Sequence, residues 1–280
     1  MKTVLTIAGS DSIGGAGIEA DLKAIACHDL HGAVALTAIT SQNTMRVSEI
    51  VPLKASAVIS QIDAVLDDAD VRAIKTGMLY SGDIAGKVAD RLAGENIPLV
   101  VDPVMVAGVG DSLYSDSLID VFREKVLPIT KIVTPNRQEA ELLSSITISD
   151  IADAERACRA IARCGPEAVL LKGGHFKGGT VVDLLYHRGR FMLFEGPRLK
   201  HKVHGGGCTV SSYLACCLAK NMSVKKAVLD SKMRILDAIA LSYQAGQGIR
   251  VVNPLASKQK EAMRADHIDE LRWAIGMLER

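Results

Sequence analysis

The chain of 280 residues is long enough to bury a large core without disulfide bonds or a structural metal. Its 33 Lys and Arg residues balance 32 Asp and Glu residues, and the net charge of +1 disfavours partnership with nucleic acid or an anionic membrane surface. No apolar run approaches the ~18 residues of a membrane span, and six cysteines without a CxxC pair or an export signal predict reduced thiols in the cytoplasm.

Short β-branched runs alternate with longer runs of helical period, a pattern typical of βαβ units around a parallel sheet. The predicted strands cover residues 4–8, 34–40, 72–75, 99–101, 131–133 and 168–171. Two further strands, at 181–186 and 190–195, predict a hairpin at one edge. The predicted helices cover residues 18–26, 58–66, 82–94, 116–126, 137–144, 150–164, 209–220 and 224–245.

This succession predicts one doubly wound α/β domain over residues 1–253, with a mostly parallel central sheet and helices on both faces. After Pro254 the chain becomes rich in charge, and apolar residues recur every three or four positions. They are Ile268, Leu271, Ile275 and Leu278. This spacing predicts a linker and an amphipathic helix over 254–280, which either packs on the fold, makes a dimer contact or leads to another domain.

Polar residues and glycines follow six of the predicted strands. The segments are 9–17, 41–44, 76–78, 102–103, 134–136 and 172–175. Ligands of open α/β sheets bind at the carboxyl ends of the strands, so these segments predict a polar, glycine-lined cleft. The loop Gly14-Gly15-Ala16-Gly17 lacks dinucleotide-binding spacing and is interpreted as backbone that approaches a small ligand.

Asp21 follows this loop by one helical turn, at the margin of an apolar stripe. A half-buried carboxylate at this position needs a donor, such as a ring nitrogen or an amine of a ligand. The alternative interpretation is a surface acid in the first turns of a helix.

Three glycines, Gly205–Gly207, precede a predicted helix and leave backbone N–H groups free at its positive end, a pattern that predicts an anion site. Cys208 lies at its mouth, where a thiol pKa is expected below its usual value of about 8.5. A turn with a packing cysteine is the alternative. The spacing of Asn136 and Glu139 predicts a helix capping box, and Lys172 ends an apolar strand as either a solvated residue or a phosphate contact.

Eight motifs in order resemble the hydroxymethylpyrimidine/phosphomethylpyrimidine kinases of thiamine biosynthesis, in the ribokinase-like superfamily. They lie at 9–11, 14–21, 42–44, 76–79, 102–105, 134–140, 172–175 and 204–209, within a match to residues 3–253. The resemblance implies an ATP- and Mg²⁺-dependent kinase that phosphorylates 4-amino-5-hydroxymethyl-2-methylpyrimidine and then its monophosphate. It also implies a homodimer or a larger homo-oligomer.

The resemblance assigns a role to each matching site residue. For the substrate it implies Gly9, Asp21, Gln42 and Met78; for ATP, Lys172, Asn136 and Thr209; for magnesium, partly through water, Asp102 and Glu139; and for catalysis, Lys172, the amides of Gly205, Gly206 and Gly207, and Cys208 in the position of the base. His175, His201 and His204 are interpreted as structural hydrogen-bonding residues.

The chain departs from the family pattern at Gly206, where the usual loop carries threonine, and we expect slower turnover or looser phosphate binding as a result. Two other functions remain open. One is a pyridoxal or pyridoxamine kinase of the same branch. The other is a catalytically weak homologue that senses the pyrimidine or thiamine and signals through its terminal helix.

Overall fold

The computed structural model describes residues 1–105, 116–173, 179–259 and 276–279. Its strands are, in chain order, β1 (Thr3–Asp11), β2 (His31–Gln42), β3 (Val47–Pro52), β4 (Val71–Thr76), β5 (Leu99–Val101), β6 (Ile132–Val133), β7 (Ala168–Leu171), β8 (Thr180–His187), β9 (Arg190–Pro197), β10 (Val203–His204), β11 (Arg250–Val251) and β12 (Gly276–Glu279). Its helices are α1 (Gly17–Cys27), α2 (Ala55–Leu66), α3 (Gly82–Leu92), α4 (Asp116–Val121), α5 (Arg137–Ser144), α6 (Ile151–Ala162), α7 (Gly206–Ala219) and α8 (Val224–Ala240).

Ten strands form one sheet in the order β12-β9-β8-β7-β6-β5-β4-β1-β2-β3. Adjacent strands from β2 to β7 are parallel, whereas β3 at one edge and β8, β9 and β12 at the other pair antiparallel. The predicted mostly parallel sheet with an edge hairpin is confirmed. Strands β10 and β11 form a separate parallel pair beside the start of α7.

Helices cover both faces of the sheet. Along β1, Leu5 and Ile7 belong to one buried cluster and Val4 to another, because successive side chains of a strand point to opposite faces. Helices α2 to α6 fill the first cluster, and α1, α7 and α8 fill the second. The predicted doubly wound single domain is thereby confirmed. Among the described residues, no helix has the length and apolarity needed to cross a bilayer.

The end of the chain differs from the predicted amphipathic helix. Residues 276–279 form β12, which pairs antiparallel with β9, so the segment around Leu278 is extended. Without β12 the outer edge of β9 would leave backbone N–H and C=O groups unpaired, and the added strand satisfies them. The remainder of the predicted helix, including Ile268, Leu271 and Ile275, lies outside the described residues, as does His175.

Candidate active site

The first turn of α7 lines two cavities. The larger, of about 630 Å³, is lined by Lys172, Gly206 and Gly207 among others. The smaller, of about 70 Å³, is lined by Cys208 together with residues from β1, β2 and β3. Since Gly207 and Cys208 are consecutive, the start of this helix is the point at which ligands in the two cavities would touch.

The turn before α7 requires glycine. Gly205 has a φ of +87°, and a Cβ on it would lie 1.7 Å from the carbonyl oxygen of Gly15. The loop after β1 and the start of α7 therefore touch backbone to backbone. The first hydrogen bond of α7 runs from the Thr209 N–H to the Gly205 carbonyl oxygen. The N–H groups of residues 206–208 therefore have no acceptor within the helix. Helix starts of this kind bind phosphate groups.

A buried charge cluster lies beside these amides. Lys172 Nζ donates to Asp102 Oδ1 at 2.6 Å, and a Cβ on Gly207 would lie 3.2 Å from the same Nζ. Burial opposes the charge of Lys172, but Asp102 and Glu139 outweigh it and raise the pKa of the ammonium group. Lys172 is therefore a fixed cation at the helix start.

Glu139 joins this cluster through the predicted capping box. The Asn136 side chain accepts from the Glu139 N–H at 3.0 Å, and Glu139 Oε2 accepts from the Asn136 N–H at 2.7 Å. Burial raises the pKa of Glu139 to about 7, with Asp102 adding to the rise and Lys172 opposing it.

The chemistry of this cluster fits Mg²⁺. The carboxylates of Asp102 and Glu139 are hard oxygen donors, and their mutual repulsion favours a shared cation. Mg²⁺ commonly binds through one or two carboxylates while keeping waters and substrate phosphates. The sequence-based assignment of these two residues to the metal stays a prediction that the donor set supports.

The smaller cavity is lined by residues that the sequence assigned to the substrate. Gly9, Gln42 and Met78 all lie on its walls. A Cβ on Gly9 would lie 2.4 Å from the Met78 methyl carbon, so glycine leaves the space that the thioether fills. Val47 and Ile50 of β3 add apolar surface suited to a flat ring.

Asp21 is not part of this wall, and its assignment to the substrate is corrected. Its side chain is 0% exposed, and it accepts hydrogen bonds from Thr6 at 2.6 Å, Lys75 at 2.8 Å and Ser212 at 2.7 Å. These protein donors take the place of the ligand amine or ring nitrogen that the sequence suggested. Asp21 therefore ties β1, β4 and α7 together beneath the site.

Thr209 is also displaced from its predicted contact with ATP. It is fully buried and lines neither cavity, and its N–H donates to the Gly205 carbonyl oxygen. Asn136, in contrast, lines the larger cavity as expected. Thr209 is thus enclosed by protein, whereas Gly206 and Gly207 of the same helix start line the larger cavity.

The Cys208 thiol differs from the low-pKa group expected at a helix start. Burial raises its pKa to about 11, with Asp102 and Asp21 adding to the rise and Lys75 opposing it. The loss of hydration outweighs the helix dipole and the nearby lysine. In the unliganded protein the thiol is therefore neutral at physiological pH.

The sequence interpretation missed the basic wall of the larger cavity. The segment between β9 and β10 contributes Arg198, Lys200, His201 and Lys202, and α8 contributes Lys232. The run Arg-Leu-Lys-His-Lys at 198–202 was the signal available in the sequence. A wall of this charge suits a polyphosphate.

The chain matches a family model described as phosphomethylpyrimidine kinase over residues 11–253. It is 43% identical over 251 residues to a hydroxymethylpyrimidine/phosphomethylpyrimidine kinase of Streptomyces coelicolor, covering 89% of this chain and 93% of that protein. This chain belongs to the phosphomethylpyrimidine kinase family. The resemblance found in the sequence is confirmed, and with it the interpretation of the protein as a phosphotransferase.

Solved structures of the same fold include two kinases. A pyridoxal kinase from Staphylococcus aureus, in complex with AMP-PCP and pyridoxal, superimposes with a TM-score of 0.88 at 29% identity, covering 100% of this chain and 99% of that one. A phosphomethylpyrimidine kinase from Clostridium difficile 630 superimposes with a TM-score of 0.76 at 38% identity, covering 85% of this chain and 100% of that one. Both likenesses agree with the ribokinase-like fold predicted from the sequence.

Proposed function

We propose that this protein is an ATP- and Mg²⁺-dependent kinase that phosphorylates 4-amino-5-hydroxymethyl-2-methylpyrimidine, and then its monophosphate to the diphosphate, in thiamine biosynthesis. The observation that supports it is that consecutive residues of one helix start, Gly206–Cys208, line both a basic cavity and a small ring-sized cavity. Phosphoryl transfer is catalysed mainly by positioning and by stabilising charge, which this arrangement provides.

Each group at the junction has a distinct task. The amides of residues 206–208 and the ammonium of Lys172 would hold the transferring phosphoryl group from two sides. Asp102 and Glu139 would hold Mg²⁺, directly or through water, and the bound ion would neutralise phosphate charge. Gly9, Gln42 and Met78 would orient the pyrimidine, and Asn136 would contact ATP.

Cys208 would take the proton of the nucleophile as a thiolate, after its own proton had passed to solvent, because a thiol with a pKa of about 11 is protonated at rest. The two reactions demand different help from it. The first nucleophile is a neutral hydroxymethyl group. The second is a phosphate monoester, which is mostly ionised at pH 7 because its second pKa is about 6. We therefore expect Cys208→Ala to slow the first phosphorylation by about 10²-fold and the second by much less. Single-turnover rates with each substrate test this, and equal losses would exclude a role as base.

The function itself is tested by ADP release on mixing the protein with Mg-ATP and three candidate substrates in turn. The expected result is rapid turnover of the hydroxymethylpyrimidine and of its monophosphate, and slow turnover of pyridoxal. The second candidate, a pyridoxal kinase, is favoured by the TM-score of 0.88 to the Staphylococcus aureus enzyme, and higher kcat/KM with pyridoxal would establish it. No turnover of any of the three would favour a sensing role.

We further propose that the protein acts in the cytoplasm as a homodimer. The six cysteines are all free thiols, as expected in a reducing compartment. The antiparallel edge of the sheet carries Ile39 and Val51, each 47% exposed and paired in register, together with Met45 in the connecting turn. An apolar group of this kind is suited to contact a second copy of the chain.

A further inference from the structure

One imidazole nitrogen connects two walls of the smaller cavity. The Nε2 atom of His204 lies 2.8 Å from Asp11 Oδ2 and 2.7 Å from the terminal Nε2 position of Gln42. His204 and Gln42 both line the cavity assigned to the pyrimidine. The ring of His204 has little freedom, because Gly15 packs on it so closely that a Cβ there would lie 2.7 Å from its Cδ2.

Asp11 determines which imidazole nitrogen carries a hydrogen. Its Oδ2 accepts from the N–H groups of Gly15, at 3.0 Å, and Ala16, at 2.8 Å, as well as from His204. Burial opposes its charge, but the hydrogen bond and charge of His204 and the backbone N–H groups outweigh it and lower the pKa of Asp11. An ionised carboxylate only accepts hydrogen bonds, so Nε2 of His204 must carry the hydrogen.

A protonated Nε2 in turn determines the orientation of the Gln42 amide. An amide nitrogen 2.7 Å from this N–H would set two donors against each other, whereas the amide oxygen can accept from it and share the one hydrogen with Asp11 Oδ2. Half a turn of the amide brings the oxygen to that position and the nitrogen to the side of Thr40 Oγ1, at 3.5 Å. Thr40 can accept there, because it donates its own hydrogen to the Ser10 carbonyl at 2.8 Å.

We propose that His204 is a positioning residue that fixes the Gln42 amide in this orientation, and that the orientation selects a ring carrying an amine beside a ring nitrogen. Because His204 holds the amide oxygen, the amide presents one N–H donor and one oxygen lone pair to a ligand, and the two cannot exchange positions. An amine beside a ring nitrogen supplies the complementary donor and acceptor, whereas a ring with an oxo group in place of the amine does not. This inference rests on the proposed pyrimidine kinase activity.

The test compares kcat/KM for the aminopyrimidine with that for its 4-oxo analogue, both carrying the 5-hydroxymethyl group. His204→Leu removes the donor and should reduce this ratio about tenfold, the size expected for one neutral hydrogen bond, mainly through the KM of the aminopyrimidine. The KM for ATP should not change. In the matched variant His204→Gln a side-chain N–H can replace the imidazole donor, and the ratio should be largely restored.

A double-mutant cycle shows whether His204 acts through Gln42. In a Gln42→Leu background, adding His204→Leu should change the ratio no further. A full additional loss there, or an equal fall in kcat for both substrates in His204→Leu with the ratio unchanged, would overturn the inference and leave the kinase activity standing. A wild-type protein that phosphorylates neither pyrimidine would overturn the proposed function and this inference together.

Discussion

At the scale of single residues, burial determines the chemistry of Cys208. Because burial raises the pKa of this thiol to about 11, its thiolate fraction should increase about tenfold with each pH unit from about pH 7 to about pH 9.5. Alkylation of Cys208 by iodoacetamide, followed by peptide mass spectrometry, should show that slope without a plateau. A short capped peptide with a single cysteine in the same tube is the control, since its rate levels off above its ordinary pKa of about 8.5. An alkylation rate that levels off below about pH 8 would instead show that Cys208 has the low pKa expected at a helix start.

The buried pair of Asp21 and Lys75 makes a second prediction. Both side chains are 0% exposed, so Asp21→Ala would leave the ammonium without its counter-charge. We expect a loss of about 3–5 kcal/mol in the free energy of unfolding, measured with urea. The matched double variant, Asp21→Leu with Lys75→Met, replaces both charges by apolar groups and should recover most of that loss. An Asp21→Ala protein of unchanged stability but raised KM for the pyrimidine would return Asp21 to the substrate wall.

At the scale of elements, adding a side chain to each of two neighbouring glycines at the start of α7 should have opposite effects on stability and activity. In Gly205→Ala the new Cβ would clash with the Gly15 carbonyl oxygen, and the φ of +87° is strained for alanine. This variant should therefore have a lower melting temperature and a higher KM for ATP. Gly206 is helical, and among the described residues its Cβ would contact Val203 alone, at an ordinary 3.6 Å. Gly206→Thr should therefore stabilise the fold by about 0.4–1 kcal/mol and speed turnover by stiffening the turn. Similar effects of both variants would show that the turn geometry does not control phosphate binding.

The elements that sequence reasoning recovered are those whose signals are local. Strands β5 and β7 are short buried apolar runs and were placed at their observed bounds, 99–101 and 168–171. The capping box that starts α5 was recovered because it needs only the spacing of Asn136 and Glu139. Strand β3 was missed, since it is mostly exposed and includes Ser48, Glu49 and Pro52.

The parts of the site that escaped sequence reasoning depend on long-range contacts. Asp21 meets Lys75 from 54 positions away and Ser212 from 191, and His204 meets Asp11 from 193. No local pattern reports such partners. The raised pKa of Cys208 is of the same kind, because the burial that causes it is produced by the assembled sheet and helices.

At the scale of the whole molecule, the candidate site lies at the carboxyl ends of the parallel strands. An exposed apolar pair lies on β2 and β3, the last two strands at one side of the sheet. Ile39 of β2 and Val51 of β3 face each other in register on an exposed surface. If a second copy covers them, Ile39→Glu or Val51→Glu should convert a dimer to a monomer in sedimentation velocity. Met233→Glu is the matched control, since Met233 is 48% exposed on α8, away from this edge.

Loss of the dimer should also raise the KM for the pyrimidine while leaving that for ATP unchanged. The reason is that Val47 and Ile50 of the same edge strand line the smaller cavity, and a covered strand holds them more rigidly than an exposed one. A dimer that survives both glutamate substitutions would place the interface elsewhere on the surface. A wild-type chain that sediments as a monomer at micromolar concentration would contradict the homodimer, and β3 would then have to keep its wall of the cavity in place without a partner.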